Sequence, residues 1–252
     1  MKIGIIGIGK MGSAILQGLL NTNNASDLFI ADSNQENLDK IKQEVNKTTA
    51  QVIAKECDMI IIAVKPQDFG SLNIKGDNVF ISIMAGVKID KIKNVVGSSK
   101  IIRVMPNLAA LVQEASSAYC CSKSVTDEEK KAAESLLKTF GTAFEVKEEE
   151  MDAVTGLSGS GPAYVAYFIQ KLAEAGEKEG LEESYKQALQ TVFGTAKLLK
   201  EKDIKPEELI AMVSSKKGTT EKGMEVLEGS DLKEILSKTV AKAAERSREL
   251  GK

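Results

Sequence analysis

The sequence predicts an α/β chain in which a doubly wound, mostly parallel sheet is followed by an all-helical region. Up to about residue 148, short apolar segments of strand length alternate with segments of helical spacing. Strands that are apolar along their whole length are buried on both faces, which is typical of a parallel sheet covered by helices on each side. Beyond that point apolar residues recur only with helical spacing. We therefore predict two domains, residues 1–150 and residues 151–252, with a boundary near residues 148–152.

The predicted elements follow one another along the chain without a repeat. Strands are expected at residues 3–6, 28–32, 59–66, 78–86, 100–107, 116–121 and 143–148. In the first domain, helices are expected at residues 13–20 and 127–140. In the second domain, helices are expected at residues 162–179, 183–201 and 206–213, and from residue 219 to the C-terminus.

Composition and charge argue against several classes of function. The formal net charge of the 252 residues is −2, so we expect no nucleic-acid partner and no attraction to an anionic membrane. The cysteines at 57, 120 and 121 contain no C-x-x-C pair, which argues against a metal site and for a reducing compartment. Cys120 and Cys121 are either a redox-active pair or, as we favour, two buried strand thiols. Neither a membrane-spanning run nor a signal-peptide pattern is found, so we expect a cytoplasmic protein.

The first predicted strand leads directly into a glycine-rich loop. Residues 7–12 read G-x-G-x-x-G, and helical spacing follows. In this context the glycines let the backbone approach the pyrophosphate of a dinucleotide, which sits on the helix N-terminus of a Rossmann-type domain. The predicted cofactor-binding residues of the loop are Ile6, Gly7, Ile8, Gly9, Lys10, Met11 and Gly12.

An acidic residue is expected about 20 positions after such a loop, at the end of the second strand. Asp32 occupies that place. Its carboxylate would bind the adenine ribose hydroxyls and repel a 2′-phosphate, so the cofactor is NADH or NADPH with NADH favoured. Ser33 and Asn34 could still hold a phosphate if Asp32 turned away.

Three later strands end at the same carboxyl edge of the sheet, where ligands bind in such folds. The segment AVKP ends one strand, and IMAG and MPN end the next two. The second and third segments are candidates for lining the nicotinamide end. The predicted cofactor-binding residues at these three ends are Ala63, Val64, Lys65, Pro66, Met84, Ala85 and Asn107.

The stretch TGLSGSGP at residues 155–162 raises the question of a nucleophilic serine at Ser158 or Ser160. A nucleophilic serine needs a base, most often histidine, and the sequence contains no histidine. Neither serine completes a G-x-S-x-G pattern either. We instead predict a close-packing turn built on the glycines, with a long helix beginning at Pro162.

The same stretch argues against alcohol oxidation, which needs a base for the hydroxyl proton. The β-hydroxyacid dehydrogenase group shares this two-domain plan and these glycines, and follows them with a catalytic lysine and an asparagine. The corresponding positions here are Val165 and Ile169. The glycines are kept and the base is absent.

Over essentially its whole length the sequence resembles the pyrroline-5-carboxylate reductase family. The resemblance lies in the glycine loop at 7–12, AVKP at 63–66, RVMPN at 103–107, DAVTGLSGSGPAYV at 152–165 and VSSKKGTT at 213–220. It implies reduction of a cyclic imine, 1-pyrroline-5-carboxylate, to L-proline with a nicotinamide cofactor. It also implies an intertwined homodimer made through the helical domain, usually assembled into a larger ring.

The chemistry of an imine fits a chain without a strong base. An imine nitrogen is protonated from water, so the site needs placement, a carboxylate clamp and one hydrogen-bond partner. Gly218, Thr219 and Thr220 open a predicted helix whose free backbone N–H groups suit the substrate carboxylate. Ser215 adds a hydroxyl group. From the family resemblance, Thr220 bonds the ring nitrogen as the catalytic residue, and Glu148 lies near the substrate.

The sequence departs from the family at two places. Lys216–Lys217 replaces the usual proline–glycine pair before Gly218, so either this loop is less closely folded or Lys217 adds charge for the carboxylate. Leu108–Ala109 replaces the usual Thr-Pro after MPN. Two alternatives stay open: a related imine or keto reductase with another small carboxylate substrate, and a non-catalytic dinucleotide-binding regulator.

Overall fold

One mixed sheet dominates the computed structural model, which describes residues 1–251. Over these residues the strands are β1 (Ile3–Ile6), β2 (Leu28–Ala31), β3 (Asn46–Lys47), β4 (Met59–Ile62), β5 (Val79–Ser82), β6 (Ile101–Met105), β7 (Ala115–Cys121) and β8 (Gly141–Glu145). Their order in the sheet is β3-β2-β1-β4-β5-β6-β7-β8. The β6–β7 pair is antiparallel and the other neighbours are parallel. The predicted fold class is confirmed.

Helices alternate with these strands and then follow them. Within the described residues, the α-helices are α1 (Lys10–Leu20), α2 (Gln35–Asp39), α3 (Ala50–Glu56), α4 (Pro66–Phe69), α5 (Ile89–Val96), α6 (Asp127–Lys138), α7 (Met151–Val154), α8 (Gly161–Lys178), α9 (Ser184–Lys202), α10 (Pro206–Val213), α11 (Thr219–Glu228) and α12 (Leu232–Leu250). Short 3₁₀-helices cover Ala25–Asp27, Leu108–Val112 and Glu148–Glu150. None of the helices within residues 1–251 is both long enough and apolar enough to cross a membrane.

The sheet is buried on both faces, as continuous apolar strands predict. Ile61 of β4 lies in one core cluster, and its neighbours Ile60 and Ile62 lie in the other. Ile5 pairs with Ile61 in the parallel register of β1 and β4. Successive side chains of a strand point to opposite faces, so one apolar run supplies both cores.

Five of the seven predicted strands end earlier than predicted, and one strand was missed. The segment predicted at 59–66 is a strand only at Met59–Ile62, since the following residues leave the sheet as an edge loop. Strand β3 is two polar residues long and has no apolar pattern to reveal it. The last predicted helix is two helices, α11 and α12, interrupted between Gly229 and Asp231.

The turn predicted within residues 155–161 is wrong, because this stretch is helical. Helix α7 passes into a π-helix at Thr155–Gly159, and α8 begins directly afterwards. The Ser160 N–H donates to the Thr155 carbonyl at 2.9 Å, the i to i−5 bond of a π-turn. None of its glycines has a positive φ. Gly156 instead allows close packing, because a Cβ at this position would lie 2.6 Å from the Val240 carbonyl oxygen.

The chain forms two compact units, Met1–Gly161 with the segment from Val240 onward, and Pro162–Thr239. In the first unit the end of α12 packs on α7, where the Ser247 hydroxyl donates to the Asp152 carboxylate at 2.6 Å. The domain boundary predicted at residues 148–152 follows the last strand, whereas the compact units divide at Gly161 and again at Thr239.

Candidate cofactor and substrate sites

The glycine loop joins β1 to α1 and lies close to the end of β4. Gly7 has a φ of 99°, and a Cβ there would lie 2.7 Å from the Ala63 carbonyl group. A Cβ at Gly12 would collide with the Gly7 carbonyl oxygen. Gly9, the N-cap of α1, has open space around its Cβ direction. Two glycines therefore close the loop, and the third leaves room for a pyrophosphate at the helix N-terminus.

Asp32 follows β2 and is bonded to the glycine loop. Its Oδ2 accepts the Ile8 N–H at 2.6 Å and the Asn37 side-chain amide at 3.2 Å. Its Oδ1 accepts the Asn34 N–H at 2.8 Å. These bonds hold the negative charge beside the loop, and turning the carboxylate away would break all three.

A cavity of about 490 Å³ opens at this edge of the sheet. The predicted cofactor residues that line it are Ile6, Gly7, Gly9, Asp32, Ala63, Val64 and Lys65. Further lining residues are Ala31, Ser33, Asn34, Asn37, Thr48, Thr49, Ala50, Asp68, Ser71 and Leu72. Thr48 and Thr49 follow the missed strand β3, so sequence periodicity gave no signal for them. The cavity has the place and polarity expected for the adenosine half of a dinucleotide.

Other predicted cofactor residues lie outside the lining of this cavity. Ile8 and Met84 are each 2% exposed and belong to the apolar cores, so their side chains cannot face a ligand. Lys10 and Ala85 are exposed, and Pro66 is the first residue of α4. Met11 is partly buried and Gly12 is buried.

The Asn107 side chain, predicted to line the nicotinamide end, ties several elements together. Its Nδ2 donates to the Ser158 carbonyl in the π-helix at 3.1 Å. Its Oδ1 accepts the N–H groups of Ala109 and Ser116, each at 3.3 Å. The amide thus links the end of β6, the following 3₁₀-helix, β7 and the π-helix.

A second cavity, of about 530 Å³, lies in the first unit and is lined by charged groups. Its lining residues are Gly86, Lys88, Arg103, Glu148, Glu149, Asp152, Arg248 and Gly251. Glu148 Oε1 accepts the Ile89 N–H at 2.7 Å and lies 3.4 Å from Arg103 Nη1. The residue predicted to lie near the substrate therefore holds the N-terminus of α5 and pairs with a buried arginine.

The predicted substrate loop lies in the second unit, where it opens α11. The Gly218 N–H donates to the Ser215 carbonyl at 2.9 Å, and Gly218 is the N-cap of the helix. Thr219 and Thr220 are its first two residues, whose N–H groups have no partner within a helix. The structure thus brings the loop residues predicted for substrate binding into one turn.

Lys217 gives this turn an unusual backbone. Its φ is 59°, a left-handed conformation that favours glycine, and glycine is the usual family residue there. Its N–H donates to Glu221 Oε2 at 2.6 Å. The loop is therefore closed by hydrogen bonds at Lys217 and Gly218.

The two adjacent cysteines are strand thiols in β7. Burial raises the pKa of the Cys120 thiol to about 12 and that of Cys121 to about 11. Reactive cysteines have lowered values, because the thiolate is the reactive form. The structure therefore favours a packing role for the pair.

Comparisons with known proteins match both the sheet-bearing region and the helical region of this chain. Residues 148–250 match the family described as pyrroline-5-carboxylate reductase dimerisation, and residues 2–86 match that of the coenzyme F420-dependent NADP oxidoreductases. The chain is 38% identical to the pyrroline-5-carboxylate reductase of Methanosarcina acetivorans, over 100% of this chain and 98% of that protein. It is 35% identical to the enzyme of the same name from Aquifex aeolicus, over 99% of this chain and 97% of that protein.

Solved structures give the same result. The pyrroline carboxylate reductase of Plasmodium falciparum with NADP bound superposes with a TM-score of 0.85 at 35% identity, over 100% of this chain and 98% of that one. The pyrroline-5-carboxylate reductase of Coxiella burnetii superposes with a TM-score of 0.94 at 30% identity, with the same coverage. Since sequence and structure match over the full length, the chain belongs to the pyrroline-5-carboxylate reductase family.

Proposed function

We propose that this protein reduces 1-pyrroline-5-carboxylate to L-proline with NAD(P)H. The observation that carries the proposal is the start of α11, where Thr219 and Thr220 present backbone N–H groups and hydroxyls in a closed turn. The Gly218 N–H, expected to be free, is instead bonded to the Ser215 carbonyl, so Gly218 contributes the close turn. Backbone N–H groups at a helix N-terminus favour an anion, so they suit the substrate carboxylate. Ser215, whose carbonyl accepts the Gly218 N–H, supplies a further hydroxyl in the same turn.

Thr220 is the residue that we assign to the ring nitrogen. When bound, the cofactor supplies a hydride to the imine carbon. The Thr220 hydroxyl, partly buried at the second position of α11, hydrogen-bonds the nitrogen as it becomes an amine. A positioned hydroxyl is sufficient because the imine is protonated from water, and the chain has no histidine to act as a stronger acid.

The residues of the first unit fit a dinucleotide. Open space at Gly9 and the 490 Å³ cavity accommodate the pyrophosphate and adenosine. We assign the nicotinamide end to the backbone of Met84, Ala85 and Asn107, which follow β5 and β6 at the carboxyl edge. The fixed charge of Asp32 supports a preference for NADH over NADPH.

The protein is a homo-oligomer, as its dimerisation region implies. We take its unit to be a homodimer made through the helices after Pro162, and we propose further assembly into a ring. Unpaired thiols at Cys57, Cys120 and Cys121 support a reducing, cytoplasmic compartment.

A cofactor-oxidation assay tests the proposal. Pyrroline-5-carboxylate is supplied with NADH and with NADPH side by side, and proline is identified as the product. A six-membered cyclic imine carboxylate and an open-chain 2-keto acid are matched alternative substrates. Faster turnover of either alternative would assign the protein to the related imine or keto reductases instead.

A further inference from the structure

Arg103 is a buried cation in the middle of a core strand. Its side chain is 5% exposed, and its neighbours along β6 are apolar. A charge in such a place is stable only when it is paired and hydrogen-bonded. Its ion-pair partner is Glu148, with Nη1 and Oε1 separated by 3.4 Å.

Glu148 also binds the start of helix α5. The same Oε1 atom accepts the Ile89 N–H at 2.7 Å. Ile89 is the first residue of α5. The contacts Arg103–Glu148–Ile89 therefore join the centre of β6 to the point where the β5–α5 loop enters its helix.

Among the acidic residues that line this cavity, Glu148 is the one that contacts both the Arg103 guanidinium and the Ile89 N–H. The other acids lining the cavity are Glu149 and Asp152, and Asp152 accepts the Ser247 hydroxyl at 2.6 Å. The remaining cations of the lining are Lys88 and Arg248. The cavity is polar, so a side chain displaced from the pairing can be hydrated there.

The β5–α5 loop at residues 83–88 is the segment to which we assigned the nicotinamide end. Gly86 turns it with a φ of 76°, and a Cβ at Gly86 would lie 3.2 Å from the Gly251 nitrogen. Ala85 is exposed at the loop's tip, whereas Met84 is anchored in the core. The loop is thus held at Met84, at Gly86 and, through Glu148, at Ile89.

We infer that Arg103 is a positioning residue for hydride transfer, because it holds Glu148, and through Glu148 the loop that meets the nicotinamide. This inference rests on the proposed function. Loss of Arg103 frees Glu148 to leave Ile89, so the loop's position becomes less defined. The adenosine end lies at Asp32, on another loop, and is unaffected.

Three measurements on Arg103→Met test the inference. Hydrogen–deuterium exchange of amides 84–89, measured without substrate, should be faster by about tenfold or more than in the wild type. In the assay with NADH deuterated at the transferred position, kcat should fall about tenfold and the primary isotope effect should rise. Binding of ADP-ribose should change less than twofold, and Arg103→Lys should restore kcat to within about threefold of the wild type.

Glu129→Gln is the matched control, because it breaks the Lys100–Glu129 ion pair (2.9 Å) beside the start of β6, away from the loop. It should leave kcat and the exchange of amides 84–89 unchanged. If Arg103→Met does not fold, Glu148→Ala replaces it with the same expectations. Unchanged exchange at 84–89 together with wild-type kcat overturns the inference. A wild-type protein without activity on pyrroline-5-carboxylate contradicts the proposed function alone, since the exchange measurement needs no substrate.

Discussion

Asp32 places a carboxylate beside the proposed ribose site, and its effect on cofactor choice is measurable. We expect a higher kcat/KM with NADH than with NADPH, because a 2′-phosphate would approach a carboxylate held by the N–H groups of Ile8 and Asn34. Asp32→Ser should narrow or reverse the ratio. Steady-state kinetics with both cofactors provide the measurement.

The control for this prediction is Asp32→Asn, which removes the charge and keeps an acceptor for the loop. It should shift the cofactor ratio in the same direction as Asp32→Ser with less loss of stability. A wild-type preference for NADPH of tenfold or more, about 1.4 kcal/mol in transition-state binding, would contradict the argument from Asp32.

Thr220 is the second residue to test, because kinetics can distinguish a catalytic role from a purely structural one. Thr220→Ala should lower kcat about 10- to 100-fold, since one hydrogen bond to a developing polar centre contributes about 1.5–3 kcal/mol. Cofactor affinity and melting temperature should barely change. Thr220→Ser should recover most of the rate, because it returns the hydroxyl without the methyl group.

The opposite result would make Thr220 a structural residue of the first turn of α11, where Gly218 is the N-cap. A Thr220→Ala enzyme with wild-type kcat and a lowered melting temperature would then leave placement by the backbone N–H groups of α11 as the main catalytic device.

The sequence predicts individual lining residues of the first cavity only where a recognisable motif contains them. Gly7 and Asp32 follow from the spacing of a known loop, and both line the first cavity. Thr48 and Thr49 line it as well, yet they are brought there by the pairing of β3 with β2, which no local pattern encodes. Met84 follows β5 at the carboxyl edge of the sheet, but its side chain lies in the core.

At the scale of elements, the π-helix at Thr155–Gly159 shows what glycine does besides forming turns. Gly156 and Gly159 both lie in the π-helix and neither has a positive φ, so the helix propensity of alanine acts in the same direction at both positions. Their surroundings differ. A Cβ at Gly156 would lie 2.6 Å from a backbone oxygen of Val240, and a Cβ at Gly159 would lie 2.7 Å from the flexible Met105 Cε.

This difference predicts that an alanine at Gly156 destabilises the protein more than an alanine at Gly159. Gly156→Ala should lower the free energy of unfolding by about 1–3 kcal/mol, since backbone atoms must move to relieve the overpacking. Gly159→Ala should change it by less than about 1 kcal/mol, because Met105 can adopt another rotamer. Chemical denaturation of the two variants measures both values. Equal losses would show that the close approach of α12 does not determine the cost.

Helices and strands were predictable where their apolar residues recur with a clear period and where capping or turn residues mark their ends. Continuous apolar strands such as β4 and capped helices such as α6 appear at the expected places. The π-helix was read as a turn, because glycine and proline are the usual turn residues and sequence alone does not show what packs against them. Helix α12 was joined to α11, since one interruption does not change the helical spacing on either side.

For the whole molecule, the family resemblance implies a dimer made through the helical domain, and the burial of this region is consistent with it. The buried residues within 162–239 are only Ala173, Ser184 and Ala188. Three small side chains do not make a hydrophobic core for these helices. Large apolar residues such as Phe168, Leu172 and Phe193 are 51%, 41% and 59% exposed in one chain, which is consistent with a surface covered by a second copy.

Activity should therefore depend on the dimer. Phe193→Glu places a charge in the exposed apolar face of α9, so it should shift the molar mass from light scattering to that of a monomer and abolish proline formation. Gln190→Glu adds the same charge to a polar position of the same helix, and it should keep both the dimer and the activity. Leu172 and Leu189 are exposed in one chain, and Val192 and Leu199 are half-buried, so these side chains are not fully packed within one chain. A wild-type enzyme that is monomeric and fully active at assay concentration would contradict this prediction. Its helical unit would then function with the apolar surface exposed to water.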